Sequence, residues 1–549
     1  MMKLKSKRLS FVITILMILA LLVTACGSQQ TQTTDEGENN QGQTTGPKIG
    51  GNLVVGITGD PYSIAPWVSN DLNSAMIANL ILPPLMVTDE NGKKIPYIIK
   101  DYKMSDDAKE YTIVIHDGIN WHDGVPFTAE DIAFTAEYTV KHKLGFGADM
   151  FANVEKTEVI DKTTVKFYLK KPQVNFLSQV GFWINIMPKH IFEKVEDPMN
   201  FNYDGTGYGP FKLKEYKKGE YYIFERVPNW PLANNGLGAY LETVTFRVFP
   251  DHNALLLAMK NGEVHVSGSA MPVASQKQLE ASPDKFGVLK VMSLGYGYFG
   301  FNYKNELLRD KNVRKAIAMT IDRDAIVNTA LQGGAVKMET PISPVYKDLV
   351  KSNIKFPPFD LEGAKKVLED AGYKLNSEGI REKNGKKLEF ELIYRTTTIN
   401  ADSIVNIFKA NAEKVGIKIN LKPVDNATYT DRVVKQRNFD INFIEWGVID
   451  DPDSSLATIY KSDTALNFMG YKNEKIDEIL EKVQSEPDYQ KRVEMMNEFQ
   501  KEFIEELPTV NVYVKINAYG YSKEFEGWSL TPGLFGPIAA KDLVKVYKK

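Results

Sequence analysis

Apolar positions in this chain recur at two spacings, one of alternating short runs and one of longer helical stretches. Residues 52–57, 112–115, 164–169, 221–224 and 244–248 are apolar or alternating and are bounded by glycines or turn residues such as Asp117-Gly118, which predicts strands. Thr128, with an acidic Asp131 three residues on, resembles a capping box and predicts a helix start. A short helix is expected over 253–261, stopped by Gly262. Beyond residue 300 helix and strand patterns take turns. Helices are expected at 312–320, 323–331, 361–371 (with Gly372 just past its end), 401–415, 474–484 and 490–506. Strands are expected at 388–394, 417–421 and 440–446. Such alternation predicts an α/β fold with mixed or mainly parallel sheets. No internal repeat is evident, and composition does not shift after Lys48.

The first 48 residues follow different rules. Residues 3–8 are basic, and residues 11–23 form an apolar run too short for a permanent span, which needs about 20 residues. That is the pattern of a signal peptide. Val23-Thr24-Ala25-Cys26 resembles a bacterial lipobox, which implies cleavage before Cys26 and diacylation of its sulfur. Residues 27–48 are polar, cannot bury enough surface to order themselves, and would make a tether of about 25 Å.

Composition narrows the function classes. Of 549 residues, 43% are apolar and 25% charged, and 28 Phe, 26 Tyr and 6 Trp can fill a large core. Lys plus Arg number 67 against 70 acids; four of the bases lie in the first 25 residues, so the remainder carries 63 against 70, a net of −7. A slightly acidic body has no basic footprint for nucleic acid. Cys26 is the single cysteine, which excludes an internal disulfide, a CxxC redox site and a thiolate metal cluster.

Candidate chemistry is sparse. Gly295, Gly297 and Gly300 match GxGxxG after a strand, but strand and turn residues follow where a dinucleotide site needs a helix. Alternating aromatics on a strand explain these glycines as room for neighbouring rings. His116 and His122 stand beside Asp-Gly turns and read as solvated turn residues, and no metal set is expected. HExxH, GxSxG and GxxxxGK[ST] are missing, so no catalytic group is assigned and no cofactor is expected. Asp450, Asp451 and Asp453 cluster behind Trp446, either as a solvated turn begun by Asp before Pro452 or as carboxylates aimed at a ligand ammonium or sugar hydroxyls. Arg395 closes a strand and is either a surface cation or a fork for a ligand carboxylate.

Several segments together resemble solute-binding protein family 5, the oligopeptide and dipeptide-binding lipoproteins of ABC importers. They are Ile81-Leu82-Pro83-Pro84-Leu85; the run from Trp121-His122-Asp123-Gly124 through Phe127-Thr128-Ala129-Glu130-Asp131; and Gly205-Thr206-Gly207-Tyr208-Gly209-Pro210-Phe211. Val313-Arg314-Lys315-Ala316-Ile317 with Ile321-Asp322-Arg323, and Trp446 with Asp451-Pro452-Asp453 and Tyr471-Lys472-Asn473, complete an ordered series from about residue 50 to 510. The resemblance implies a two-lobed, type II binding-protein fold of three domains. Domain I would comprise 50–93, 205–298 and 508–549, domain II 94–204, and domain III 299–507. Ligand would be trapped between the lobes by hinge closure and passed to a membrane permease.

By the same resemblance, Tyr62 and Trp67 line the cleft on the domain I side, and Tyr296 and Tyr298 face it at the crossover. Peptide binders of this family hold the ligand ammonium with an aspartate three residues after the tryptophan; here that position is Ile449, with Asp450 next to it as substitute. Short peptides are the expected ligand, with cello-, xylo- or manno-oligosaccharides as the alternative. A cell-surface hydrolase and a receptor for peptide signals are the other readings. The implied protein is a monomer, lipid-anchored outside the membrane of a Gram-positive cell.

Overall fold

A computed structural model describes residues 47–549 apart from 70 and 352. The leader, Cys26 and most of the tether lie outside these residues. Pro47–Lys549 form one unit, and no helix among the described residues is long and apolar enough to cross a membrane.

One twelve-stranded mixed sheet runs through the molecule. In one half, Asn52–Thr58 pairs parallel to Thr243–Phe249, which continues antiparallel through Tyr221–Arg226 to Phe211–Lys217. In the other half, Glu389–Arg395 lies parallel to both Lys418–Val424 and Ile441–Glu445, and Ile441–Glu445 is antiparallel to Gly297–Phe301. The 14-residue strand Thr509–Ser522 joins the halves. Its first residues pair with Gly297–Phe301 and its last with Phe286–Met292. A separate four-stranded antiparallel sheet, ordered Ile99–Met104, Glu110–Ile115, Thr164–Leu169, Val154–Val159, lies within the expected insert.

Two large cores follow this division. The first takes residues from Leu53 to Val266 and from Phe525 to Val546; the second runs from Leu294 to Val514. A small third core, Leu255 to Leu279, sits beside the first.

Most predicted elements form within a residue or two of their expected ends. Thr128 and Asp131 make the reciprocal capping box of Ala129–His142. Gly372, at φ 87°, follows Leu361–Asp370 where only a left-handed turn continues the chain. The glycines of the GxGxxG match behave as expected of a strand. A Cβ at Gly297 would fall 2.6 Å from the Tyr513 ring, and one at Gly300 would fall 3.1 Å from the Tyr298 ring. The expected helix 323–331 is different: only Arg323–Ala325 is α-helical, and Ile326–Ala330 widens to a π turn. His122 corrects an expectation. It is not a solvated turn residue: Nδ1 accepts from the Gly207 amide (3.1 Å) while Nε2 donates to the Gly209 carbonyl (3.2 Å). Burial holds its pKa down at about 4, so the ring is neutral and pins the 205–211 segment to the Trp121 turn.

Candidate functional site between the lobes

The acidic segment leaves the end of strand Ile441–Glu445 and enters helix Pro452–Tyr460. Asp451 sits at the turn with φ 45°, a left-handed conformation that Asp tolerates, and Pro452 takes the first helical position. Asp451 does not cap its own helix. Its side chain reaches across the interface instead.

There it meets elements of the first core. Ser178 Oγ, on helix Phe176–Trp183, donates to Asp451 Oδ2. Trp183 Nε1 donates to Asp450 Oδ2 at 2.9 Å, and Lys94 Nζ lies 3.3 Å from the same oxygen. Lys94 also stands 3.3 Å over the Phe182 ring, so its ammonium is enclosed by a carboxylate and an aromatic face. The Lys94 and Asp450 side chains are 3% and 12% exposed. Asp453 pairs with Arg492 at 3.3 Å, and Arg492 Nη1 donates to the Glu486 and Pro487 carbonyls.

The expectation of a solvated turn therefore does not hold for this cluster. Burial, followed by repulsion from Asp453 and Asp450, raises the Asp451 pKa to about 7, and burial holds that of Lys94 below its ordinary value. Next to these groups is a cavity of about 320 Å³ between the two halves, whose wall includes Lys94, Ser178, Tyr346, Asp451, Asp453 and Arg492. A second cavity, of about 170 Å³, lies along Pro66, Ser69, Phe182, Trp183 and Phe535. The lobes also meet through the backbone, Val174 N–H donating to Gln484 O at 3.0 Å.

The other expected site residues are dispersed. Tyr62 is 66% exposed, with Lys218 over its ring. Trp67 packs edge-on against Phe192 and Tyr203 in the first core. Tyr298, in strand Gly297–Phe301, and Tyr296, just before it, belong to the second core, where they are 0% and 2% exposed. Trp446 is half-buried, stacked near-parallel on Tyr298 at 6.4 Å between ring centres. Arg395 lies over Tyr429 at 4.4 Å, away from both cavities.

Lys94, Ser178, Trp183 and Arg492 escaped the sequence reading. Lys94 follows a turn as one of two adjacent lysines, and Ser178 and Trp183 sit in an apolar run without periodicity; nothing in those patterns marks an interface.

Residues 93–467 match the model of the bacterial extracellular solute-binding proteins, family 5. The chain belongs to this family. This family 5 protein is 28% identical to the oligopeptide-binding protein AppA of Bacillus subtilis, over 96% of its own length and 97% of the relative's. It is similar in structure to the ABC transporter substrate binding protein CtaP of Listeria monocytogenes (TM-score 0.80, 25% identity, 91% of this chain and 100% of that one). It is likewise similar to Bacillus subtilis AppA in complex with a nonapeptide (TM-score 0.72, 27% identity, 92% and 100%). The fold is the two-lobed α/β architecture of these binding proteins, and as such a family 5 chain it is not an enzyme.

Proposed function

We propose that this protein is the substrate-binding component of an ABC importer for short peptides, anchored outside the membrane by lipid on Cys26. Ligand enters between the lobes, hinge closure traps it, and the closed form docks on the permease. The three-domain division at 50–93, 205–298 and 508–549, at 94–204 and at 299–507 belongs to this proposal. The separation of the two main cores near Leu294 and Val514 supports it.

The observation that carries the reading is the cavity of about 320 Å³ between the halves, walled by Asp451, Asp453, Arg492 and tyrosines in a chain of this family. A concave site whose wall mixes apolar and aromatic side chains with charged ones of both signs suits a peptide, whose side chains, backbone and termini need both. That AppA of Bacillus subtilis is named for oligopeptide binding, and has been seen with a nonapeptide, points the same way.

The test is a thermal-shift screen on protein lacking residues 1–26, comparing short peptides with cello-, xylo- and manno-oligosaccharides. A ligand at 100 times its dissociation constant stabilises by about 2.7 kcal/mol. Stabilisation by peptides and not by sugars supports the reading. Stabilisation by sugars alone, or cleavage of the added ligand, overturns it.

A further inference from the structure

Asp450, beside the cavity, is a carboxylate that could bind a cation, and it is already paired. An ammonium is recognised by a carboxylate and by the face of an aromatic ring. Both meet at Asp450. Its Oδ2 receives the Trp183 indole N–H at 2.9 Å, and the Phe182 ring lies alongside. The cation held there is the chain's own Lys94, from strand Lys94–Pro96, at 3.3 Å from the carboxylate and 3.3 Å above the ring centre.

Its neighbours are also engaged. Asp451 accepts from Ser178, and Asp453 pairs with Arg492. Of the remaining carboxylates on the cavity wall, Asp89 accepts the backbone amides of Asn91 and Lys93, and Asp348 accepts from Tyr489. A ligand ammonium entering from the 320 Å³ cavity therefore reaches Asp450 only if Lys94 leaves. Lys94, 3% exposed, would then be a buried charge without its partner.

We infer that Lys94 is a specificity-determining residue, the resident cation of the Asp450 site, and that the cleft favours peptides whose N-terminus carries no charge over the same peptides with a free ammonium. This rests on the peptide reading above. It assigns to Asp450 the task of holding the lobes together through Lys94 instead of holding the ligand.

Two measurements test it. Amine-reactive labelling of ligand-free protein, read by peptide mass spectrometry, compares Lys94 with its exposed neighbour Lys93. Protection of Lys94 supports the pairing, and labelling as fast as Lys93 overturns it. Calorimetric titration then compares matched peptides, N-acetylated and free, on wild type, Lys94→Met and Lys94→Met/Asp450→Asn. Wild type should bind the acetylated form as well or better. In Lys94→Met the free-amine form should gain about tenfold relative to the acetylated one, the scale of one charge-assisted hydrogen bond. The double variant should lose that gain, which separates vacated charge from a folding defect. Wild type preferring the free amine, with no change in Lys94→Met, overturns the proposal. If neither peptide binds any of the proteins, the peptide reading fails, and labelling alone decides the pairing: protection upholds it and free labelling overturns it.

Discussion

Where Thr509–Ser522 passes from one half of the sheet to the other, the join is backbone. It pairs with Gly297–Phe301 on one side and Phe286–Met292 on the other, and the link between those two strands is held by Trp446 N–H donating to Tyr296 O at 3.0 Å. Where the acidic segment meets helix Phe176–Trp183, the join is side chains: Lys94 and Trp183 on Asp450, Ser178 on Asp451. The first cannot be undone without losing sheet hydrogen bonds. The second can be released by a proton, a competing ion or a ligand while both cores stay intact. A protein that must open and close needs one join of each kind, and the difference lies in the chemistry of the bonds more than in the area covered.

The harshest challenge to the backbone join is Gly295→Ala. Its Cβ would stand 1.9 Å from the Trp446 carbonyl oxygen and 2.6 Å from that of Gly447, and both are backbone with no flexible side chain to yield. We expect a loss of about 3 kcal/mol or more in urea unfolding, with both cores affected. Lys94→Met tests the other join. It leaves Asp450 without its cation, but that carboxylate keeps 12% exposure and the Trp183 donor, so about 2 kcal/mol is expected, less than for a fully enclosed pair. Lys94→Met/Asp450→Asn should recover most of it. A Gly295→Ala loss confined to the interface, or no recovery in the double variant, would break the contrast.

The two joins also differed in how legible they were. Strands and amphipathic helices declared themselves by period, and Gly372, Thr128 and Asp131 by local rules of capping, because those signals act within a few residues. The family motifs extended that reading across most of the chain. Helix Leu72–Ile81 and helix Phe176–Trp183 gave no such signal. The first is buried nearly all round, from Met76 to Ile81 without a break, so it has no polar face to set a period. Asp450, Asp451 and Asp453 were legible as a cluster, but their partners lie some 270 to 360 residues away in sequence or arise from unrelated helices, as the Trp183–Asp450 separation of 267 illustrates. Pairings of that kind are decided by packing of whole lobes. The same applies to Tyr296 and Tyr298, whose alternation is plain while the side of the sheet they occupy is set by Trp446 and the second core.

Titration sharpens the comparison further, because a group at the side-chain join and one away from both joins shift in opposite senses. Asp451 at the side-chain join has a folded pKa raised from 3.8 to about 7, so the folded state binds the extra proton and its contribution to stability declines as pH rises through that window. His122, half-buried against the 205–211 segment, has its pKa lowered from 6.5 to about 4, so the folded state binds fewer protons and stability rises with pH over that range. The trends oppose each other in wild type. Thermal midpoints from pH 4.5 to 7.5 should therefore rise more steeply with pH in Asp451→Asn, and less steeply in His122→Gln. Matching slopes in Asp451→Asn and wild type would mean that Asp451 titrates as an ordinary exposed acid.

The smallest expected effect belongs to a polar contact that stays within one half. Lys515 lies 2.7 Å from Glu445, on strands of the same part of the sheet, with side chains 34% and 19% exposed. Tyr513 donates to the other oxygen of Glu445, so Lys515→Met does not strand that carboxylate. Solvent screening reduces what such a pair contributes, and about 0.5 kcal/mol is the expected loss. Amine labelling of Lys94 should be unchanged in this variant, since nothing in the pair touches the interface. Faster labelling of Lys94 in Lys515→Met would show that the sheet and the side-chain join are coupled, and that the two cannot be released independently.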